Sequence, residues 1–166
     1  MNWDLMVAHP PCTYLCSSGI HWNNKRPGRE KKTEEALEFV RLLLSAPIPR
    51  IALENPVGVI STRIRKPNQI IQPYQFGHDR SKATCYWLKG LPLLKPTKYI
   101  PPRETEYGPR WGNQTDKGGR DKTPKGPMRG HIRSITDVGI AEAMAQQWGN
   151  HVSLENYDSQ VMGESE

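Results

Sequence analysis

This chain is poor in cysteine and has no long hydrophobic run, and each shortage excludes a class of protein. Its three cysteines, Cys12, Cys16 and Cys85, are an odd number without the spacing of a disulfide framework, so we expect a reducing compartment and a cytoplasmic location. The longest apolar stretch, residues 40–48, is too short to span a bilayer. The first apolar stretch is preceded by an acidic residue, Asp4, and not by a basic region, so no signal peptide is predicted.

Positive charge and loop-forming residues are what the chain has in abundance. Its 166 residues suit one compact domain, but only 36% are hydrophobic, and the 15 prolines and 14 glycines indicate many loops. The formal net charge of +6 favours a polyanionic partner, most simply nucleic acid. A soluble basic protein without such a partner has the same charge, so that interpretation stays open.

The first third of the chain has the pattern of a strand, a helix and a second strand. Residues 3–8 and 50–53 are short apolar runs typical of buried strands. Between them, Thr33 is a predicted N-cap of an amphipathic helix that Pro47 ends. A helix that connects two strands in this order predicts a parallel pair.

The rest of the chain is less regular. Residues 69–74 and 82–88 are predicted to be further strands. Thr136 is predicted to cap a final helix that Gly149 stops. The acidic tail, residues 153–166, is predicted to fray.

Two short motifs follow the first two predicted strands and carry the strongest functional hint. One contains Pro11-Cys12 and the other is Glu54-Asn55-Pro56. Open α/β sheets place their chemistry outside the carboxyl ends of strands. A thiol and a carboxylate brought together there have the chemistry needed to attack a pyrimidine, since a thiolate adds to a ring carbon while an acid protonates a ring nitrogen.

These motifs resemble those of the DNA (cytosine-5) methyltransferases, most closely the short phage- and prophage-type cytosine-specific DNA methylases. The segment Pro11-Cys12-Thr13-Tyr14-Leu15-Cys16-Ser17-Ser18-Gly19 is similar to the family's nucleophile motif, with leucine and cysteine where the family has phenylalanine and serine. Glu54-Asn55-Pro56 is similar to the family's Glu-Asn-Val motif. Two weaker blocks are residues 76–87, where Lys82 and Thr84 take the places of two arginines, and residues 132–136.

The resemblance implies a partial Rossmann-like methyltransferase fold over residues 1–152, with a mostly parallel sheet, flanking helices and a long basic loop. It implies that Cys12 adds to C6 of a flipped-out cytosine while Glu54 protonates N3, after which C5 takes a methyl group from S-adenosylmethionine. The supporting residues would be Pro11, Asn55, Pro56 and Lys82. The implied setting is the cytoplasm of a bacterial or phage-infected cell.

The cofactor motif of the family, a strand followed by a Gly-rich turn, has no counterpart in this sequence. We therefore expect that the part of the family fold that binds the cofactor was lost, is encoded as a separate N-terminal polypeptide, or follows from a start upstream of Met1. The thiol must act as a thiolate, so the site is expected to lower the pKa of Cys12, with Lys82 or Arg80 as the nearby cation.

DNA is the expected partner, and the basic loop from about 101 to 133 is its expected contact. Clustered cations with aromatic residues suit phosphate contact and base stacking, although a solvated loop has the same composition. The predicted nucleic-acid-binding residues are Thr13, Arg80, Arg110, Lys117, Arg120, Lys122, Lys125 and Arg129.

Three other interpretations stay open. The first is a zinc site with the ligands His9, Cys12, Cys16 and His21. These residues contain no C-x-x-C pair, so no metal is predicted. The proline pair also resembles the site of amino-methyltransferases. Finally, the chain is also consistent with an inactive remnant that binds nucleic acid through its basic loop. Cys16 and Cys85 are predicted to be structural.

Overall fold

The described part of the chain forms one four-stranded sheet. The structure is a computed structural model that describes the backbone of residues 3–163 and the side chains of residues 3–150. The strands are β1 (Leu5–Ala8), β2 (Arg50–Pro56), β3 (Gln69–Ile71) and β4 (Thr84–Lys89). Their order in the sheet is β1-β2-β4-β3. All four lie where the sequence predicts strands, with ends shifted by a few residues.

The sheet is mixed, and the prediction of a mostly parallel sheet was wrong. Among these four strands, β1 and β2 pair in parallel, whereas β2–β4 and β3–β4 are antiparallel. A parallel pair needs a long crossover, which the helix between β1 and β2 provides. The connection from β3 to β4, residues 72–83, contains only a 3-10 turn at Pro73–Gln75, and the chain turns back on itself. The protein is therefore a mixed α/β chain with one parallel pair.

Five α-helices are present in the described residues: α1 (Ser17–Ile20), α2 (Arg29–Leu44), α3 (Ile60–Arg63), α4 (Arg129–Ser134) and α5 (Val138–Gly163). Helix α2 begins four residues before Thr33, because Gly28 takes the left-handed conformation (φ 75°) that starts it. Thr33 is buried, and its hydroxyl donates to the carbonyl of Tyr14 at 3.2 Å, so its predicted capping role was wrong.

Helix α5 starts and ends later than the sequence suggests. The carbonyl of Asp137, not Thr136, accepts the first helical N–H groups. The helix continues through Gly149 to Gly163, because one glycine in a helix interior costs only about 1 kcal/mol. The backbone is helical over most of the tail that was predicted to fray, and residues 164–166 of that tail lie outside the described residues.

The chain divides into two compact units. Unit 1 contains the residues up to Ile71, Ala83–Leu93 and the chain from Leu154 onward; unit 2 contains Gln72–Lys82 and Leu94–Ser153. The core of unit 1 joins α2 to the sheet through Leu37, Val40, Leu53 and Trp87, all fully buried. In unit 2 the buried side chains include Phe76, Leu94, Ile140, Met144 and Trp148. None of the helices in the described residues is long and apolar enough to cross a membrane.

The basic loop of unit 2 has little regular structure, as predicted, but it is held by specific contacts. Two isolated antiparallel bridges, Arg103 with Arg110 and Gln114 with Asp121, fold it back on itself. The Trp111 ring stacks on Tyr74 with centroids 4.0 Å apart.

Candidate functional site

The parallel pair brings the two predicted catalytic motifs to one edge of the sheet. Ala8 of β1 lies opposite Leu53 of β2, so the residues that follow, His9 and Glu54, lie side by side. The Nδ1 atom of His9 is 3.1 Å from Oε2 of Glu54. The Glu54 side chain is only 17% exposed, so this pair is partly shielded from water.

Asn55 joins the two motifs directly. Its side-chain amide donates a 2.8 Å hydrogen bond to the carbonyl of Pro10, and the residue is 1% exposed. A buried hydrogen bond of this kind fixes the proline pair against the end of β2. The Oδ1 atom of Asn55 is buried and has no hydrogen-bond partner among the described residues. The predicted supporting role of Asn55, holding the loop, has a physical basis in this contact.

A second clamp lies just beyond β2. The N–H of Ser17 donates to the carbonyl of Val57 at 3.0 Å, and the N–H of Val59 donates to the carbonyl of Leu15 at 2.9 Å. Gly58, between them, approaches so closely that an added Cβ would lie 1.9 Å from the Leu15 oxygen. Only glycine permits this approach.

The turn that carries Cys12 is held from α2 as well. Arg29 donates from Nη2 to the carbonyl of Thr13 at 2.8 Å and from Nε to the carbonyl of Gly19 at 3.3 Å. Its guanidinium lies over the ring of Tyr14, 4.7 Å from the centroid. Within the turn, the N–H groups of Leu15 and Cys16 both donate to the carbonyl of Cys12.

The Cys12 thiol is exposed and close enough to Glu54 to respond to its charge. Its pKa is raised above the ordinary value, first by a hydrogen bond to Cys16, then by partial burial and the charges of Cys16 and Glu54. The expectation that the site lowers the pKa of Cys12 was therefore wrong. The reason is that partial burial and the nearby charge of Glu54 both disfavour a thiolate at this position.

Cys16 is the more acidic thiol. A hydrogen bond from Cys12 lowers its pKa to about 5, with further donation from Ser18 and the backbone N–H of Gly19, while burial opposes the shift. The Sγ atom of Cys16 is 3.2 Å from the hydroxyl oxygen of Ser18. Cys16 was predicted to be structural; its backbone N–H donates to the carbonyl of Cys12 at 3.0 Å, which places it in the same turn as the candidate nucleophile.

Three residues of the site were missed or assigned other roles by sequence reasoning: His9, Cys16 and Arg29. The sequence pattern does point to His9 and Cys16, since both lie close to Cys12 in the same motif. It does not point to Arg29, because the contacts of Arg29 with Thr13 and Gly19 depend on how α2 packs.

Of the predicted support residues, Pro11, Asn55 and Pro56 lie in unit 1 with Cys12 and Glu54. Pro11 starts the 3-10 turn at Cys12–Tyr14, and Pro56 ends β2. Lys82 belongs to unit 2, where its Nζ donates to the carbonyl of Arg133 at 2.9 Å.

The predicted nucleic-acid-binding cations fall into two groups. Arg80 and Arg110 are engaged within unit 2: Arg80 pairs with Asp137 at 3.1 Å, and Arg110 donates to three backbone carbonyls. The Nη2 atom of Arg129 lies 3.8 Å from a carboxylate oxygen of Asp121. Burial raises the pKa of Asp121, but hydrogen bonds from Thr123 and Asn113 and the charge of Arg133 outweigh burial, so the pKa is lowered. Four cations are exposed: Lys117, Arg120, Lys122 and Lys125. Thr13, the remaining predicted contact, is also exposed, in unit 1.

The described residues do not fit S-adenosylmethionine. Strand β1 is followed by a proline pair instead of a glycine turn. Gly58 follows β2 and Gly90 follows β4. The space beside Gly58 is occupied by the backbone oxygen of Leu15, and the space beside Gly90 by that of Pro49, so neither glycine leaves a cradle for a ligand. A groove of about 370 Å³ beside the Cys12 turn is lined mainly by apolar side chains, including Pro10, Pro11, Tyr14 and Phe39. In residues 3–150, no three His, Cys, Asp or Glu side chains cluster as a metal site requires.

Comparisons with models of protein families, with curated proteins and with solved structures gave no match to this chain. The geometry of the site, together with the resemblance of its two motifs, is therefore the basis for any function assigned to it.

Proposed function

We propose that this chain provides the base-activating half of a DNA (cytosine-5) methyltransferase, with a partial Rossmann-like fold. The observation that carries the proposal is the convergence of an exposed thiol, Cys12, and a partly shielded carboxyl group, Glu54, at the end of one parallel strand pair. Asn55 and Gly58 fix the two loops to each other, so the two groups are held in place before any substrate arrives.

The chemistry assigned to the chain is activation of C5. The Cys12 thiol loses its proton to water, its sulfur forms a bond to C6 of a flipped-out cytosine, and Glu54, in its protonated form, delivers its proton to N3. The electron pair of the C5–C6 double bond then makes C5 nucleophilic. His9, beside Glu54, orients the carboxyl group and relays its proton. The methyl donor has no site among the described residues, so we assign no step to it.

A covalent adduct tests the proposal without a methyl donor. A DNA oligonucleotide containing 5-azacytosine is activated at C6 by its own ring nitrogen and needs no methylation to be trapped. We expect the wild-type protein to form an adduct visible as a shifted band in a denaturing gel. Cys12→Ala should abolish it, and Glu54→Gln should slow it by about 100-fold, within the usual range for loss of a general acid.

Two control variants separate this chemistry from general damage. Cys85→Ala removes a thiol that is buried in the core, and Glu35→Gln removes an exposed carboxylate on α2. Both should form the adduct at close to the wild-type rate. A wild-type protein that forms no adduct on duplex or single-stranded DNA would remove the proposal.

A second candidate is a non-catalytic module that binds nucleic acid. Two features favour it: the pKa of Cys12 is raised, chiefly by a hydrogen bond to Cys16 and by partial burial, and unit 2 carries four exposed cations, Lys117, Arg120, Lys122 and Lys125. In this function the exposed cations contact phosphates and the thiols take no part.

Binding measured against salt concentration tests this candidate. Each phosphate contact adds about 0.9 to the slope of log affinity against log salt, so Lys122→Ala or Arg120→Ala should each lower that slope by about 1. Lys66→Ala, which removes an exposed cation from unit 1, is the matched control and should leave the slope unchanged. Binding that keeps the wild-type slope in both unit 2 variants would contradict the candidate.

A further inference from the structure

Unit 1 carries a cluster of cations and aromatic rings beside the Cys12 turn. The segment 21–32 contains five cations and a single carboxylate, Glu30, although the net charge of the whole chain is only +6. This segment leads through a turn at Pro27 and Gly28 into α2. We call the contacting side chains of this region the basic-aromatic patch: Tyr14, Trp22, Lys25, Arg26, Arg29 and Lys32.

The Trp22 ring holds two exposed cations. Its centroid lies 5.5 Å from Nζ of Lys25 and 4.6 Å from Cζ of Arg26, and Trp22 itself is exposed. The His21 ring packs against the same indole, with the centroids 4.7 Å apart. A cation held over a ring loses less conformational freedom when it binds an anion, because its side chain is already confined. The two cations are therefore preorganised for an anionic ligand.

The Tyr14 ring connects the patch to the candidate nucleophile. Tyr14 belongs to the same 3-10 turn as Cys12, and its ring centroid lies 4.7 Å from Cζ of Arg29 and 5.7 Å from Nζ of Lys32. Arg29 also donates to the carbonyl of Thr13 at 2.8 Å. The patch and the Cys12 turn thus form one packed segment of unit 1.

The exposed cations of the patch have no carboxylate partner. Within residues 3–150, no ion pair and no side-chain hydrogen bond involves Lys25, Arg26 or Lys32. In unit 2, by contrast, Arg80 and Arg103 are both paired with aspartates. Cations near the start of a helix also oppose the helix dipole, so these charges do not stabilise α2. Contacts within the chain therefore do not account for the patch, whereas a polyanionic ligand would neutralise it.

We propose that the basic-aromatic patch binds the phosphodiester backbone of the DNA strand whose cytosine enters the Cys12 site. The inference rests on the proposed function and places a DNA contact on the same unit as the thiol. The exposed cations contact phosphates, and the two rings hold these cations in place. An anionic membrane surface is a poorer ligand, because the rings are covered by cations and do not present an apolar face for insertion.

The salt dependence of DNA binding by the full chain tests the inference. Each phosphate contact adds about 0.9 to the slope of log affinity against log salt, so Lys25→Ala and Arg26→Ala should each lower the slope by about 1. Trp22→Leu keeps every charge, so it should leave the slope unchanged and weaken binding about two- to fivefold, the size of one exposed cation–π contact. Lys66→Ala removes an exposed cation elsewhere in unit 1 and should behave as wild type. Thermal denaturation shows whether each variant folds.

Adduct kinetics with 5-azacytosine DNA separate binding from chemistry. In the double variant with Lys25→Ala and Arg26→Ala, the DNA concentration that gives half the maximal rate should rise about tenfold. The rate at saturating DNA should stay close to that of wild type, because neither residue touches the reacting groups.

The outcomes distinguish the patch from the site chemistry. A wild-type salt slope in the double variant would overturn the inference. Patch-dependent binding to phosphatidylserine vesicles, with DNA binding unaffected by the same substitutions, would also overturn it. A lowered slope in a protein that forms no adduct would uphold the patch as a DNA contact and locate the failure in the proposed function.

Discussion

Replacing Gly58 with alanine is expected to lower the free energy of unfolding of the protein by about 3 kcal/mol, the upper end of the usual cost of overpacking. The new Cβ would lie 1.9 Å from the Leu15 oxygen and 2.8 Å from the Cys16 Cα. Both neighbours are backbone atoms, so no side-chain rotation relieves the clash. The loop after β2 must move away from the Cys12 turn, which breaks the hydrogen bonds that join them.

The same displacement separates Cys12 from Glu54. We therefore expect Gly58→Ala to slow formation of the DNA adduct by 100-fold or more, about the cost of a 1 Å misplacement of reacting groups. Chemical denaturation measures the first effect and gel-shift kinetics the second. Val57→Ala is the neighbouring control, because the Val57 side chain is 47% exposed and its carbonyl is retained. Wild-type stability in Gly58→Ala would show that the two loops are not clamped.

Replacing Gly139 with alanine is expected to lower the free energy of unfolding by about 2 kcal/mol, again as a cost of overpacking. In the first turn of α5, a Cβ at this position would lie 2.0 Å from the Phe76 oxygen and 3.1 Å from the Phe76 carbonyl carbon. The N–H of Gly139 also donates to Nε2 of His78 at 2.9 Å, so movement of the helix would break that bond.

Gly149 is the matched control in the same helix. An added Cβ there meets no described atom within 4 Å, so Gly149→Ala should raise the free energy of unfolding by about 0.5–1 kcal/mol through helix propensity. Chemical denaturation followed by circular dichroism measures both variants. Equal effects of the two alanines would contradict the close approach of α5 to Phe76.

The sequence patterns predicted strands and helices better than they predicted contacts between distant parts of the chain. The apolar runs that became β1 and β2, and the helix between them, are local patterns whose pairing follows from the length of the connection. The direction of β4 was not predictable in this way, because it depends on which neighbour a strand finds and not on its own residues. The contacts of Arg80 with Asp137 and of Arg110 with backbone carbonyls were also not predictable, since a basic residue looks the same in sequence whether it contacts DNA or its own chain.

The sequence by itself determined that a cysteine follows the first strand and that a glutamate lies near the end of the second, because strand periodicity and proline turns act over a few neighbouring residues. Only the tertiary structure decided how these groups are tuned. It set His9 against Glu54, closed Asn55 onto Pro10, and brought Arg29 to the turn that holds Cys12 and Cys16. Such contacts join residues far apart in the chain, and their geometry exists only after the strands and α2 have packed. The raised pKa of Cys12 follows from that packing, since partial burial and the nearby Glu54 carboxylate both contribute to it.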